Sequence, residues 1–316
     1  MLTVLGEALI DLVRDPDGRF TAHPGGSPLN VAVGLSRLGH RTQFMARLST
    51  DAFGRQLYGH AEVNGVLLDA APRVTEATTL AVVTLDEDGR AEYDFYVEGT
   101  ADWQWTESEL RAVPDGTTTL HTGSLASWTP PGAPRVAGLT AGLRAGGDVL
   151  LTYDPNVRPL LLPARAGARA TIEANVGTAH VVKTSEEDLA HLYPGETRDA
   201  VTGRWLALGA SLIVVTRGGD GVIASNPAAR VDRPAVPIHL VDTIGAGDAF
   251  MAGLIGALTD RGHGTAAAIA GLGADDLADL VAEAALVAAL ACERAGADPP
   301  TRAEVEAARS RSVASA

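Results

Sequence analysis

Short apolar runs alternate along the chain with stretches in which apolar residues recur every three or four positions. Runs of the first kind read as buried strands and those of the second as helices. Strands are expected over 42–47, 118–121, 149–153, 180–182 and 212–215. Helices are expected over 29–38, 53–63, 133–144, 166–175, 187–192 and 200–208. Another is expected over 249–258, where Phe250, Leu254 and Leu258 fall at helical spacing, as do Met251 and Ile255. A last Ala/Leu-rich helix over 279–294 is stopped by Gly296 and Pro299. Strands and helices taken in turn predict an α/β fold with a mostly parallel sheet.

Two segments break the alternation. Residues 9–13 and 19–23 flank Asp15-Pro-Asp-Gly18, and 79–85 and 91–97 flank Asp86-Glu-Asp-Gly89. Such turns join antiparallel strands, so a small antiparallel sheet is expected outside the main layer. It would serve as a lid that excludes water, as a patch for a homodimer, or as both. No repeat or long linker interrupts the chain. It reads as one domain over 1–316, with the lid formed by about 9–23 and 79–100.

Composition narrows the function. The 316 residues, 46% of them hydrophobic, suffice for a full core. A net charge of −14 argues against nucleic acid as partner but leaves a nucleotide open, since that needs only a local anion site. Cys292 is the only cysteine, so no disulfide can form within the chain. The start Met1-Leu-Thr-Val lacks the basic character of a signal peptide, and the apolar stretch near 280–291 is interrupted by Glu283 and too short for a bilayer. A cytoplasmic location without a membrane partner is the expectation. Lys183 is the only lysine; a preference for arginine codons accounts for that as well as a function does.

The chemistry concentrates where Asp242-Thr-Ile-Gly-Ala-Gly-Asp248 opens the helix over 249–258. The first turn of a helix presents unpartnered N–H groups and the positive end of its dipole, which suits an anion. Gly245 and Gly247 leave the approach clear. A carboxylate at Asp248 would repel a phosphate unless its task is to take a proton, which suggests phosphoryl transfer to a hydroxyl. A helix cap is the other reading of Asp248.

In an open parallel sheet, ligands bind beyond the carboxyl ends of the strands. Four expected strand ends lead into Thr122-Gly-Ser124, Asp154-Pro-Asn-Val-Arg158, Lys183-Thr-Ser-Glu-Glu-Asp188 and Thr216-Arg-Gly-Gly-Asp-Gly221. Arg158 would grip a substrate oxygen or carboxylate, or make a surface ion pair. The loop from Thr216 would wrap a nucleotide phosphate, or turn tightly into the next strand. Glu187 and Asp188 would hold Mg²⁺ through water, or form an acidic helix start. A second glycine loop, Pro24-Gly-Gly-Ser-Pro-Leu-Asn30, opens the helix over 29–38, where Asn30 donates to a hydroxyl or caps. The sequence holds no Walker loop, complete dinucleotide fingerprint, zinc-type Cys/His cluster or Gly-x-Ser-x-Gly elbow.

Together these residues resemble the ribokinase-like family of sugar kinases. Asp242–Asp248 is similar to that family's C-terminal signature, and Gly25–Asn30 with Gly34 and Gly39 to its N-terminal one. The resemblance runs from Gly6 to Gly296 and implies a Rossmann-like α/β/α sandwich with a small β-sheet lid. It implies Asp248 as the base and the amides of Gly245, Ala246 and Gly247 as an anion hole. Asp11, Gly25, Gly26, Asn30 and Arg158 would lie on the sugar side. Lys183, Ser185, Thr216, Gly218, Gly219 and Gly221 would lie on the ATP side, with Gly245 and Gly247. Glu187 and Asp188 would serve Mg²⁺, and Asp242 and Thr243 a K⁺ loop. One departure stands out: where the family often carries Asn-x-x-Glu, this chain reads Ser185-Glu-Glu-Asp188. Gly6-Glu-Ala-Leu-Ile-Asp11 and Tyr153–Arg158 look most like fructokinases and 2-keto-3-deoxygluconate kinases. An ATP-dependent fructokinase is the first expectation, a ketodeoxygluconate kinase the second and a silent sugar or nucleotide sensor the third.

Overall fold

Every expected strand and helix forms, with ends moved by a few residues. The computed structural model describes residues 1–15, 17–85, 91–162 and 165–314. Pro16, in the first expected turn, and the 86–89 turn lie outside the described residues. The chain begins with β1 (Leu2–Leu5), β2 (Leu9–Arg14), β3 (Phe20–Gly25), α1 (Ser27–Arg37), β4 (Thr42–Met45), β5 (Leu48–Ser49) and α2 (Ala52–Val63). It continues with β6 (Arg73–Val74), β7 (Leu80–Leu85), β8 (Ala91–Tyr96), α3 (Glu107–Leu110), β9 (Thr119–Gly123), α4 (Ala133–Gly146), β10 (Leu150–Asp154) and α5 (Arg165–Thr178). Then follow β11 (Val181–Ser185), α6 (Glu186–Leu192), α7 (Arg198–Leu208), β12 (Leu212–Thr216), β13 (Val222–Ser225) and β14 (Arg230–Arg233). The chain closes with α8 (Ala246–Asp260), α9 (Ala266–Ala270), α10 (Ala274–Cys292) and α11 (Arg302–Ala314).

The main sheet has the order β14-β13-β12-β11-β10-β9-β1-β4. Neighbours from β12 to β4 pair in parallel, and β13 and β14 add an antiparallel edge. Side chains on a strand point alternately to the two faces. Val181, Leu212 and Val214 therefore join the core under α1, α8 and α10, while Val182, Ile213 and Val215 join the core under α5 and α7. The result is a three-layer α/β/α sandwich. Helix α8 is buried from Ala249 to Leu258. It packs on α1 through Gly34, where a Cβ would come 2.7 Å from that of Ala252.

A second sheet has the order β3-β2-β7-β8. Its two hairpins are antiparallel, as expected, but its central pair, β2 and β7, is parallel. The sheet is therefore mixed rather than antiparallel: the turns fix pairing within each hairpin, and the two hairpins lie side by side in the same sense. Pro24 is tolerated because β3 is an edge strand. Leu9, Ala81, Trp103, Leu125 and Trp128 bury the join between this sheet and the body, with Phe95 against them. Trp105 belongs instead to the body core with Leu5, Met45 and Leu120. Among the described residues no helix is long and apolar enough to cross a membrane.

Candidate active site

Adjacent strands β9, β10, β11 and β12 end at Gly123, Asp154, Ser185 and Thr216, so the four polar loops read from the sequence share one rim. Two helix N-termini meet there. Gly26, at φ 103°, precedes α1, and Gly245, at φ 74°, precedes α8. Both are in the left-handed region, which suits glycine. A Cβ on Gly26 would also lie 2.8 Å from the Glu7 carbonyl oxygen, and one on Gly245 would lie 2.8 Å from Ala297 Cβ.

Asp248 lies in the first turn of α8, three residues after Gly245, and makes no side-chain cap. Its carboxylate crosses to α1, where Ser27 Oγ donates to Oδ1 at 2.6 Å and Asn30 Nδ2 donates to Oδ2 at 2.8 Å. The cap reading of Asp248 is thereby overturned. Asn30 reaches Asp248 rather than its own helix end. Ser27, to which the sequence reading gave no role, is the second anchor; its signal was a hydroxyl directly after the Gly25-Gly26 pair. Burial pushes the Asp248 carboxyl up, against the pull of Ser27, Asn30 and the Lys183 ammonium.

The carboxylate of Asp11 lies over Gly25, where a Cβ would come 2.2 Å from Oδ2. Burial pushes its carboxyl up to about 6; Arg158 and His23 pull it down and Asp248 pushes it up. Asp11, Arg158 and Asp248 thus share one electrostatic neighbourhood. Arg158 is exposed, and its Nη1 donates to Asn156 Oδ1 at 2.9 Å and to the Val157 carbonyl at 3.1 Å.

On the other side, Thr216 Oγ1 donates to the Thr184 carbonyl at 3.4 Å. Gly218 and Gly219 form an exposed turn, and Gly221 has φ 94°. A Cβ on Gly221 would lie 2.0 Å from the Arg233 carbonyl, so only glycine fits. Leu240, Val241 and Ile244, all exposed, lead into the loop before α8. Lys183 does not stand open on this side: its ammonium is buried against Asp154 and the Gly247 carbonyl.

The departure at Ser185–Asp188 is a capping box. Ser185 Oγ accepts from Asp188 N at 3.0 Å, and Asp188 Oδ2 accepts from Ser185 N at 3.2 Å. Asp188 Oδ1 also accepts from Val157 N at 3.0 Å. Both oxygens therefore serve backbone amides, while Glu187 is exposed. No group of three or more His, Cys, Asp or Glu able to hold a metal occurs among the described residues. Asp242 Oδ1 accepts from Ile244 N at 3.0 Å and Oδ2 from Gly296 N at 2.8 Å, with Thr243 exposed between. Burial pushes the Asp242 carboxyl up, but these amide donors outweigh it and the net is downward.

An α/β/α sandwich with a small sheet beside its rim, and a carboxylate held between two glycine-opened helix ends, defines a sugar kinase of the ribokinase-like fold. The sequence matches the description "pfkB family carbohydrate kinase" over residues 1–304, and the chain belongs to that family. It is 38% identical over 269 residues to a fructokinase of Klebsiella pneumoniae, an alignment that covers 82% of this chain and 84% of the relative. The structure of a fructokinase with bound ATP from Xylella fastidiosa superposes with a TM-score of 0.89 at 28% identity, covering 99% of this chain and 98% of that one. A fructokinase double mutant from Vibrio cholerae O395, in fructose, ADP and potassium ion bound form, gives a TM-score of 0.82 at 28% identity and covers 97% and 98%. The chain is a carbohydrate kinase.

Proposed function

We propose that the protein is a fructokinase that transfers the γ-phosphoryl group of ATP to a primary hydroxyl of the sugar. The observation that carries this reading is Asp248, aimed by Ser27 and Asn30 across the open ends of α1 and α8. Asp248 takes the proton as the hydroxyl attacks. The amides of Gly245 and Gly247 face the charge that develops on the transferred group, whereas that of Ala246, expected to join them, donates to the Thr243 carbonyl at 3.2 Å. Asp11, lying against Gly25, accepts from sugar hydroxyls, and Arg158 closes the sugar side. The 216–221 loop faces the nucleotide phosphates, and exposed Leu240, Val241 and Ile244 offer an apolar face to the base. The mixed second sheet acts as a lid that excludes water.

Mg²⁺ neutralises phosphate charge when it is bound with the nucleotide. Of the two expected carboxylates, Glu187 fits this task through water, because Asp188 is committed to backbone amides. K⁺ would lie at the 242–244 loop. That loop is held in place by Asp242 on Gly296 and by the Cys292 carbonyl, which accepts from Val241 N and Asp242 N.

A second reading, phosphorylation of a carboxylated sugar such as 2-keto-3-deoxygluconate, is favoured only by the exposed guanidinium of Arg158. The relatives named above are fructokinases, which puts fructose first. Asp248→Asn tests the mechanism. Loss of a general base costs about 100- to 10,000-fold in turnover, so kcat should fall by that order while fructose still binds. Near-normal kcat would remove Asp248 from the role.

A further inference from the structure

One buried cation has no part in the reaction as described. Lys183 is 4% exposed. Its Nζ lies 2.7 Å from Asp154 Oδ2 and donates to the Gly247 carbonyl oxygen at 3.3 Å. A Cβ on Gly247 would come 3.0 Å from that Nζ, so glycine leaves room for the contact. A buried ammonium is expensive unless it is paired and hydrogen-bonded. Here the pairing falls directly beneath the anion-binding turn.

Asp154 ties the ammonium to the sugar side. Its Oδ1 accepts from Asn156 N at 3.1 Å, and Asn156 Oδ1 accepts from Arg158. Its backbone carbonyl accepts from Ser124 N at 2.8 Å. Gly247 ties the ammonium to the phosphate side. The peptide unit is planar and trans, so the Gly247 carbonyl and the Asp248 N–H point in opposite directions. Holding the carbonyl down toward Lys183 aims the Asp248 amide the other way.

The titratable groups acting on the ammonium are Asp154 from β10, Asp188 from α6, Asp248 from α8 and His121 from β9. Burial pushes the ammonium down, but Asp154 leads the opposing pull and the net is upward, so Lys183 stays charged. Burial pushes His121 down to about 4, which leaves it neutral. Facing Asp248 are Ser27 and Asn30 from α1, Lys183 from β11, Asp154 from β10 and Asp11 from β2.

We propose that Lys183 is a positioning residue for phosphoryl transfer. It fixes the peptide between Gly247 and Asp248, and it supplies the positive charge that keeps the base ionised, without touching sugar or nucleotide. The proposal rests on Asp248 as the base.

The test compares Lys183→Met, the double variant Lys183→Met/Asp154→Asn and Asp248→Asn, measuring kcat, both KM values and the pH profile of kcat. A misplacement of about 1 Å costs on the order of 100-fold, so kcat of Lys183→Met should fall by about 10- to 100-fold, with both KM values nearly unchanged. The acid limb of its pH profile should move to higher pH. The double variant leaves no unpaired buried carboxylate at position 154. It should regain thermal stability and move the acid limb back, yet keep the low kcat, because the Gly247 carbonyl is left with only its bond within α8. Wild-type kcat with an unmoved limb in Lys183→Met would overturn the proposal. So would a defect confined to the KM for ATP, which would make Lys183 a nucleotide contact, or recovery of kcat in the double variant. Asp248→Asn separates the two readings: its retained turnover would remove the base, whereas its loss beside a normal Lys183→Met would remove only the role of Lys183.

Discussion

At the scale of single residues, the site depends on carboxylates that are held and partly desolvated. Asp248 faces two opposing demands. Burial raises its proton affinity, which would strengthen it in the proposed role of base, and donors from α1 favour its charged form. Ser27 is the shorter of the two hydrogen bonds to it. A hydrogen bond to a charged group contributes about 1.5–3 kcal/mol. Ser27→Ala should therefore lower kcat near neutral pH by roughly tenfold, since about 1.4 kcal/mol corresponds to that factor. The sign follows from linkage: Ser27 pulls the Asp248 carboxyl down, so its removal lets the carboxyl rise and moves the acid limb of kcat to higher pH. Steady-state rates across the acid and neutral range check this. An unmoved limb would show that Ser27 only fills space.

At the scale of elements, the proposed mechanism needs α1 and α8 at a fixed separation. Their contact is built from small residues, with Gly34 of α1 against Ala252 of α8. Farther along α8, Gly253 lies against α10, where a Cβ would come 2.9 Å from Ala284 Cα. Neither a Cβ nor a backbone atom can move aside as a long flexible side chain does. Overpacking a core contact costs about 1–3 kcal/mol. Gly34→Leu should lower the melting temperature by several degrees. It should lower kcat more than KM, because spreading the helices parts Ser27 and Asn30 from Asp248. Thermal unfolding and steady-state kinetics on the same preparation check both. The sequence already placed these helices, since their apolar periodicity and glycine loops are local signals. What it did not carry is that the two glycine loops face each other, since 218 or more residues separate Asp248 from its partners on α1.

At the scale of the whole molecule, two buried carboxyls stand where the second sheet joins the body. Glu7 Oε2 accepts from Ala126 N at 3.1 Å, and Asp102 Oδ1 accepts from Ala8 N at 3.0 Å. Glu7 lies in the segment between β1 and β2, and Asp102 holds the next residue of that segment, Ala8. Burial pushes Glu7 and Asp102 each up to about 7. A carboxyl raised on folding adds stability that is complete below its unfolded value and lost as pH rises through its folded value. His121 and His180, each pushed down to about 4 by burial, act in the opposite direction as pH falls below their unfolded values. Comparison with Glu7→Gln cancels those shared terms. The variant should gain stability relative to the unaltered chain as pH rises from about 4.5 to 7, on the order of 1 kcal/mol per pH unit. Melting temperatures across that range measure it, and a constant difference would contradict it.

The same scale shows what the sequence made legible. Alternating apolar runs and turn signals were enough for an α/β fold with a mostly parallel sheet and for both hairpins, and the family resemblance implied the α/β/α layers. They missed the parallel pairing of β2 with β7, because a turn informs only the strands it joins. The polar strand ends were legible because each loop follows its own strand. Lys183 was visible as a lone lysine, but its burial on Asp154 depends on two strands meeting in the sheet. The Ser185–Asp188 departure from the family's Asn-x-x-Glu looked like a weakened metal site; its hydrogen bonds show a capped helix start.

The most direct test of the account is ADP release from Mg-ATP with fructose, 2-keto-3-deoxygluconate, ribose and adenosine measured in parallel, with and without potassium. The account predicts that fructose drives turnover well above the other three and that potassium raises it. Turnover with ketodeoxygluconate alone would move the assignment to the carboxylated sugar and give Arg158 the deciding contact. No turnover with any of the four, under conditions where ATP binds, would contradict the account.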